Sequence, residues 1–173
     1  MRTVGAMMKK LLLFLMLIAC GFLAGCRPVE TMDDISGIVY TIDSGTILPE
    51  LQWHEAITIT KQGATLIRNG KVDETQVNAG TWVIPVDEQE VEALFQQLET
   101  VDCSTIQRIE PEDAPDGGET ETYMSAYGNG MERNLEFNPG VIYTDSELLV
   151  GPIEEFIQSL EIPDEARNRY LVP

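Results

Sequence analysis

The sequence predicts an α+β fold, in which an antiparallel sheet built from hairpins carries two helices packed on one face. Three observations support this prediction. Short segments rich in β-branched and aromatic residues alternate apolar with polar side chains, and glycine turns join some of them. Two longer segments repeat apolar residues at helical spacing. Hairpins, rather than strand–helix–strand units, precede each helix, which favours antiparallel pairing.

The first strands surround a predicted hairpin. The segment Gly37 to Asp43 (GIVYTID) has the composition of a strand, and Asp43-Ser44-Gly45 then forms a turn. In ITITKQGATLI, isoleucine alternates with threonine, and Gln62-Gly63 is the predicted turn. This turn places Ile59 opposite Leu66.

A short strand and the clearest helix come next. Residues Thr81 to Val86 (TWVIPV) form a strand that Pro85 places at a sheet edge or terminates. In DEQEVEALFQQLET, Asp87 begins a helix, and Glu90 completes a capping box. One apolar stripe follows at helical spacing, formed by Val91, Leu94, Phe95 and Leu98.

The second hairpin is predicted around the two-residue turn Asn129-Gly130, between TETYMSAY and MERNLEF. Counting from this turn pairs Met124 with Leu135 and Thr122 with Phe137 on the inward face. Tyr123 and Tyr127 then point outward.

A final helix is predicted from the spacing of Leu149, Ile153, Phe156, Ile157 and Leu160. Pro152 is expected in its first turn. The remaining residues form a tail, docked through Tyr170 and Leu171.

The first 26 residues have the layout of a secretory signal. Arg2, Lys9 and Lys10 precede an apolar run of about 13 residues, shorter than a bilayer span, and Leu23-Ala24-Gly25-Cys26 closes it. This motif resembles the lipobox of bacterial lipoproteins. The resemblance implies cleavage before Cys26, a diacylglyceryl thioether on its thiol and often an acylated amino terminus. Leu17-Ile18-Ala19-Cys20 fits a looser lipobox, and the start is either Met1 or a methionine at 7 or 8.

The predicted organisation is therefore a signal peptide over residues 1–25, a tether over 26–36 and one domain over 37–173. The 29 acidic residues all follow Cys26, whereas three of the 11 basic residues precede it, so the mature net charge is 8 − 29, or −21. Such a charge argues against nucleic acid and anionic lipid as partners, and it suits cations or basic proteins.

Catalysis has little support in the sequence. A nucleophile needs a neighbouring base, yet the one histidine is His54 and the one cysteine left after the lipobox is Cys103. No internal disulfide can form, and Cys103 is expected to be a buried, inert thiol. A small hydrolase is an alternative that requires His54 beside Cys103 or a serine.

No metal or cofactor is predicted. Histidine and cysteine clusters for zinc are absent, and the acidic loop over residues 110–121 does not match the calcium loop of an EF-hand. That loop nevertheless offers four carboxylates as calcium ligands, namely Asp113, Asp116, Glu119 and Glu121.

Three aromatic residues are candidates for recognition, because aromatic side chains dominate interface anchors. They are Tyr123 and Tyr127, on the outward face of the second hairpin, and Trp53, near the turn that follows the first strand.

Residues 55 to 160 resemble, in outline, the emfourin-type inhibitors of metalloproteases. The shared features are a hairpin, a helix with E-x-x-x-L-x-x-L (here Glu90, Leu94 and close variants), a Pro/Asp/Gly loop, a second hairpin and a closing helix. The first hairpin departs from the paired glycines of that family, with Gln62-Gly63-Ala64 in their place. The resemblance implies an exposed loop that enters a protease cleft.

The function that the sequence favours is a non-enzymatic binding module. Lipid on Cys26 is expected to hold it on a cell membrane or outer membrane, facing away from the cytoplasm, where its partner is an envelope or extracellular protein. A protease inhibitor of the emfourin kind is the first alternative, and a hydrolase is the second.

Overall fold

Six antiparallel strands form the centre of the molecule, with two long helices on one face. The computed structural model describes residues 34–115 and 117–171. The strands of the main sheet are β1 (Ile35–Asp43), β2 (Trp53–Thr60), β3 (Gly63–Gly70), β4 (Gly80–Ile84), β6 (Thr120–Tyr127) and β7 (Glu132–Phe137). A small ribbon pairs β5 (Arg108–Ile109) with β8 (Ile142–Tyr143). The helices are α1 (Glu88–Glu99), α2 (Glu147–Ser159) and the short α3 (Asp164–Arg167).

The strand order is β4-β3-β2-β1-β6-β7, and every pairing in the sheet is antiparallel. The predicted α+β architecture is thereby confirmed, and β4 lies at an edge and ends before Pro85, as its sequence indicates. The first strand begins two residues earlier than predicted, since Ile35 is already a core residue. The domain therefore takes in the last residues of the segment predicted as a tether.

The first hairpin turns over Lys61-Gln62 rather than over Gln62-Gly63. Thr60 pairs with Gly63, so Ile59 lies opposite Ala64, not Leu66. The error amounts to two residues in register, and side chains alternate with a period of two. Because of that period, Ile59 and Leu66 still face the same core, as predicted.

The register of the second hairpin differs from its prediction by one residue, which reverses the face of β6. Leu135 and Phe137 of β7 face the core as predicted, opposite Tyr123 and Glu121 instead of Met124 and Thr122. Its loop contains three residues, 128–130, and Gly130 adopts φ +80°. The Tyr127 N–H donates to the carbonyl of Met131 (2.9 Å) across this loop. A three-residue loop with glycine in the left-handed region is a common alternative to the two-residue Asn-Gly turn.

The helices pack on the sheet through the predicted stripes. Asp87 caps α1, its carboxylate accepting a hydrogen bond from the Gln89 N–H (2.7 Å). Val91, Leu94, Phe95 and Leu98 are all buried in the core that the strands supply. Helix α2 begins at Glu147, so Pro152 is its sixth residue and not, as predicted, part of its first turn.

The C-terminal tail is docked by backbone pairing and by two arginines. Tyr170 forms a β-bridge with Val77, and the side chains of Tyr170 and Leu171 stay exposed. The Arg169 guanidinium lies 3.8 Å from the centre of the Trp53 ring. Arg68, which is buried, donates to the Glu55 carboxylate (2.5 Å) and to the backbone carbonyl of Asn168 (3.1 Å). The buried Arg68–Glu55 ion pair of the sheet therefore also holds the tail in place, through the hydrogen bond from Arg68 to Asn168.

The two faces of the sheet differ in character. One face, with Ile38, Ile57 and Leu66, forms a single core with the buried residues of both long helices. The other presents half-buried threonine and small apolar side chains, such as Thr41, Thr58 and Met124.

Candidate functional site

A groove runs between α1 and α2 on the outer side of the helical layer. One hollow of about 420 Å³ lies between the middles of the two helices, and another of about 490 Å³ lies between the start of α1 and the end of α2. The two hollows share Glu90, Phe156 and Ser159 in their walls, so they form one continuous groove. Since the start of one helix faces the end of the other, the two helices run antiparallel.

The floor of the groove is apolar and its rim is acidic. Leu94, Phe156 and Leu160 line the floor, and the latter two side chains are only half-buried. The carboxylates that line the groove are those of Asp87, Glu90, Glu155 and Glu161. None of the described residues that line either hollow is a lysine or an arginine.

Glu90 belongs to this rim and not to a complete capping box. Only the Asp87 half of the predicted box is formed, and no hydrogen bond joins the Glu90 carboxylate to the Asp87 N–H within the described residues. The Glu90 side chain therefore lines the groove and does not cap the helix. A carboxylate in the first turn of α1 also interacts favourably with the helix dipole.

The whole helical layer is dominated by negative charge. Across residues 87–99 and 147–167 the only basic residue is Arg167. The acidic residues of the same two segments are Asp87, Glu88, Glu90, Glu92, Glu99, Glu147, Glu154, Glu155, Glu161, Asp164 and Glu165.

Each basic side chain in the described part of the chain has an internal contact, and most of these contacts are ion pairs that neutralise one carboxylate each. Ion pairs join Lys61 to Glu92, Arg68 to Glu55, Lys71 to Asp43, Arg108 to Glu110 and Arg167 to Asp164. Arg169 lies over Trp53 and near Glu55, and Arg133 donates to the Cys103 sulfur and to the Tyr127 hydroxyl. Carboxylates thus supply nearly all the charge that the domain offers to a partner.

A buried phenol links the sheet to α2 beside the groove. The Tyr123 hydroxyl lies 2.7 Å from the Glu154 carboxylate and 3.0 Å from that of Glu121. Burial, followed by these two carboxylates, raises the pKa of Tyr123 far above its usual range. Burial and the nearby Glu121 also raise the pKa of Tyr40, whose ring lies 5.0 Å from that of Tyr123.

The three aromatic residues predicted for recognition do not form an exposed surface. The exposed fractions are 2% for Tyr123, 5% for Tyr127 and 1% for Trp53. The predicted outward orientation of the two tyrosines is wrong because the hairpin loop contains one more residue than expected. Trp53 is covered by the docked tail and Arg169.

His54 and Cys103 lie far apart and on opposite faces of the sheet. His54 pairs with Asp43 at one end of β1, and their side chains are 3.1 Å apart. Cys103 contacts Arg133 on β7. Arg133 pairs with Ser125 on β6, and Ser125 pairs in turn with Ile38 on β1. Five residues along a strand span about 17 Å, and an odd separation reverses the face. The nucleophile–base pair that a Cys103 hydrolase requires is therefore not formed.

Each of these two residues has a local structural role. Asp43 is bonded to both His54 and Lys71, and although partial burial raises its pKa, these two partners lower it overall. Cys103 is half-buried, not fully buried as expected, and it stands in a 3-10 turn over Cys103–Thr105. Burial raises the pKa of its thiol, although the Arg133 guanidinium acts in the opposite sense.

Among the described residues, no group of three or more histidine, cysteine or acidic side chains is arranged to hold a metal ion. Asp116 and Cys26, the predicted lipid attachment residue, lie outside the described residues. None of the described helices combines the length and apolar character of a membrane span.

Comparisons with protein-family models, with curated proteins and with solved structures found no match to this chain. The likenesses to lipoproteins and to emfourin-type inhibitors therefore stay predictions from sequence. The groove itself escaped those predictions because Leu94, Phe156 and Leu160 were assigned to the core. The absence of lysine and arginine from α1 and α2 is the sequence signal that points to its rim.

Proposed function

We propose that this protein is a lipid-anchored binding module of the cell envelope that recognises a cationic protein partner and catalyses no reaction. The observation that carries this proposal is the groove between α1 and α2, with its apolar floor and its rim of four carboxylates. Apolar contact supplies affinity, while complementary charge steers the encounter and selects the partner.

The charge distribution supports a basic partner over the other classes. An anionic polymer or lipid surface would meet carboxylates across the helical layer, with the basic side chains of the described residues held in internal contacts. Like charges at an interface are strongly unfavourable. A polycationic protein surface would release that repulsion.

A non-catalytic role is favoured by the state of the candidate catalytic groups. His54 is bonded to Asp43, and the buried Ser44 hydroxyl accepts a hydrogen bond from the Trp53 N–H (3.0 Å). Both side chains hold the end of the β1–β2 pair in place. This structural role explains the two residues without a catalytic one.

The anchor is supported by the signal layout and the lipobox that ends at Cys26. Two or three acyl chains would give stable attachment, since each buried methylene contributes about 0.8 kcal/mol. The mature chain would then present its acidic domain outside the cytoplasm.

The first experiment measures the intact mass of the protein purified from its native membrane, beside Cys26→Ala and Cys20→Ala variants. A chain that begins at residue 26 with added acyl mass, lost only in Cys26→Ala, is the expected result. Acylation that depends on Cys20 would move the anchor, and a chain without acyl mass would refute it.

The binding role is tested by cross-linking on intact cells at low and high salt, followed by identification of the linked proteins. We expect basic envelope or extracellular proteins whose cross-links reach residues 87–97 or 152–161 and weaken as salt increases. Cross-links that avoid the helical layer, or that ignore salt, would contradict the proposal.

A further inference from the structure

The groove has the length and the walls to hold one helix. Helix α1, which forms one wall, has 12 residues, which corresponds to about 18 Å or three turns. The two hollows together extend from Gln97 and Pro152 to the end of α2 at Leu160 and Glu161. Each hollow falls within the usual size range of ligand pockets, about 300 to 1,000 Å³.

The walls favour a helix over an extended strand as the occupant. Both walls are α-helices, whose backbone N–H and C=O groups are engaged within the helix except at the ends. An extended peptide gains affinity by pairing its backbone with a sheet edge, and the groove offers no such edge. A helix satisfies its own backbone and needs only side-chain contacts.

Charge specifies the flanks of this occupant. Glu90 and Asp87 stand on the α1 side of the groove, and Glu155 and Glu161 on the α2 side. A helix lying between them needs an apolar stripe towards Leu94, Phe156 and Leu160 and cationic residues on both sides of that stripe. Lysine and arginine provide such flanks, because their long side chains reach a rim while the stripe stays buried.

We propose that the groove binds a basic amphipathic helix of the partner protein, with apolar anchors about one turn apart between two rows of lysine or arginine. This inference rests on the proposed function, and it adds the binding element to the partner's chemical class. The rim carboxylates contribute most to selection, and the floor contributes most to residence time.

The test uses a synthetic amphipathic peptide of about 15 residues, long enough to form a helix on contact, with a leucine–phenylalanine stripe flanked by lysines. Its controls are the same peptide with glutamate for lysine, the same peptide with serine for the stripe, and poly-lysine. Binding is measured by calorimetry to the full chain, purified in detergent from its native membrane.

Two pairs of charge-reversal variants locate the site. Glu90→Lys with Glu155→Lys changes the groove, whereas Asp73→Lys with Glu74→Lys makes the same change in net charge in an exposed loop. We expect the groove pair to weaken peptide binding by about tenfold or more and the loop pair by less than about threefold at moderate salt.

Bulk provides an independent check on the same site. Ala93→Trp narrows the first hollow, while Gln89→Trp adds the same bulk on the outer surface of α1. Loss of binding in the first variant alone supports the groove, and equal behaviour of the two variants overturns it.

The outcomes separate this inference from the function on which it rests. Two results would show that the peptide is attracted only by the net negative charge of the domain, and would refute binding in the groove. One is equal weakening of binding by the two pairs of charge-reversal variants. The other is equal binding of the stripe peptide and its serine control. Poly-lysine would still bind in that case, and the proposed preference for cations would stand. If neither poly-lysine nor the amphipathic peptide binds at low salt, both proposals fail.

Discussion

Among the residues described above, the Tyr123 hydroxyl lies in the most unusual electrostatic environment. It is buried against two carboxylates, from Glu121 and Glu154, so the neutral phenol is strongly favoured over the phenolate. A phenolate at that position would be a third negative charge in one desolvated place. Folding and protonation of Tyr123 are therefore linked.

The linkage has a definite sign. A group whose pKa is raised by folding contributes stability that is present below its unfolded pKa, about 10 for tyrosine, and that is lost as pH rises through the folded value. We expect the phenolate absorbance of Tyr123 to appear only as circular dichroism reports unfolding at alkaline pH. A Tyr123→Phe variant should lose about 1 to 2 kcal/mol of unfolding free energy at neutral pH. Because the variant has no phenol to ionise at this position, its free energy of unfolding should also fall less between neutral and alkaline pH than that of the wild type.

Ionisation of Tyr123 in a fully folded chain at ordinary alkaline pH would contradict this expectation. A Tyr170→Phe variant serves as the control, because Tyr170 is an exposed side chain on the tail.

At the scale of elements, helix α1 could be predicted almost completely from sequence. Its cap, Asp87, and its apolar stripe act within a few residues of each other, so local chemistry determines them. The first hairpin was predicted with the correct faces and the wrong register, since an error of two residues preserves the alternation of side chains. In the second hairpin the predicted face is correct for β7 and wrong for β6, because one extra loop residue reverses the direction of the β6 side chains.

Gly130 is the reason for that extra residue. Its φ of +80° is a conformation that L-residues rarely adopt, and nothing stands near the position that a Cβ would occupy. A substitution there tests backbone conformation alone, free of any clash. Asn-Gly is compatible with both loop lengths, and the longer loop is the one that places Tyr123 and Tyr127 in the core.

Two glycine substitutions should therefore have opposite effects. Gly130→Ala is expected to lower the free energy of unfolding by about 1 kcal/mol, the cost of a left-handed L-residue. Gly151→Ala, in helix α2 and clear of the described residues apart from the adjoining Pro152 ring, should raise it by up to about 0.5 kcal/mol, since that ring offsets part of the helix propensity that alanine gains. Urea titration of the two variants beside the wild type measures both changes. Effects of the same sign would mean that backbone conformation is not the deciding term at one of the two sites.

Features that join distant parts of the chain escaped prediction. The contact between Arg68 and Asn168 spans 100 residues, and no local pattern announces it. The groove likewise exists because α1 and α2, which are separated by the second hairpin, lie side by side and leave Phe156 half-exposed.

At the scale of the whole molecule, self-repulsion opposes the folded state. The full chain has a net charge of −18, and the described basic side chains are held in internal contacts. Folding brings the remaining carboxylates closer together, and dissolved ions screen the repulsion between them.

Added sodium chloride should therefore raise the thermal midpoint. Between low and near-molar salt we expect a gain of about 1 kcal/mol, or about 3 °C for a domain of this size. Four exposed acids without ion-pair partners in the described structure, Asp73, Glu74, Glu112 and Glu132, can be changed together to their amides. The amide variant should have a higher midpoint at low salt and a weaker dependence on salt. A midpoint that falls with salt would mean that ion pairs outweigh the repulsion.

The central place of β1 also determines how the domain responds to a pull. β1 is the first strand in the described part of the chain, yet it lies in the middle of the sheet between β2 and β6. Its first residue, Ile35, is held in two ways. The side chain is buried in the core, and the backbone N–H donates a hydrogen bond to the Glu99 carboxylate (2.8 Å). A force applied to the segment before residue 35 acts on a central strand, not on an edge strand. It must draw β1 out from between β2 and β6 at once, so two ladders of hydrogen bonds, rather than one, resist the pull.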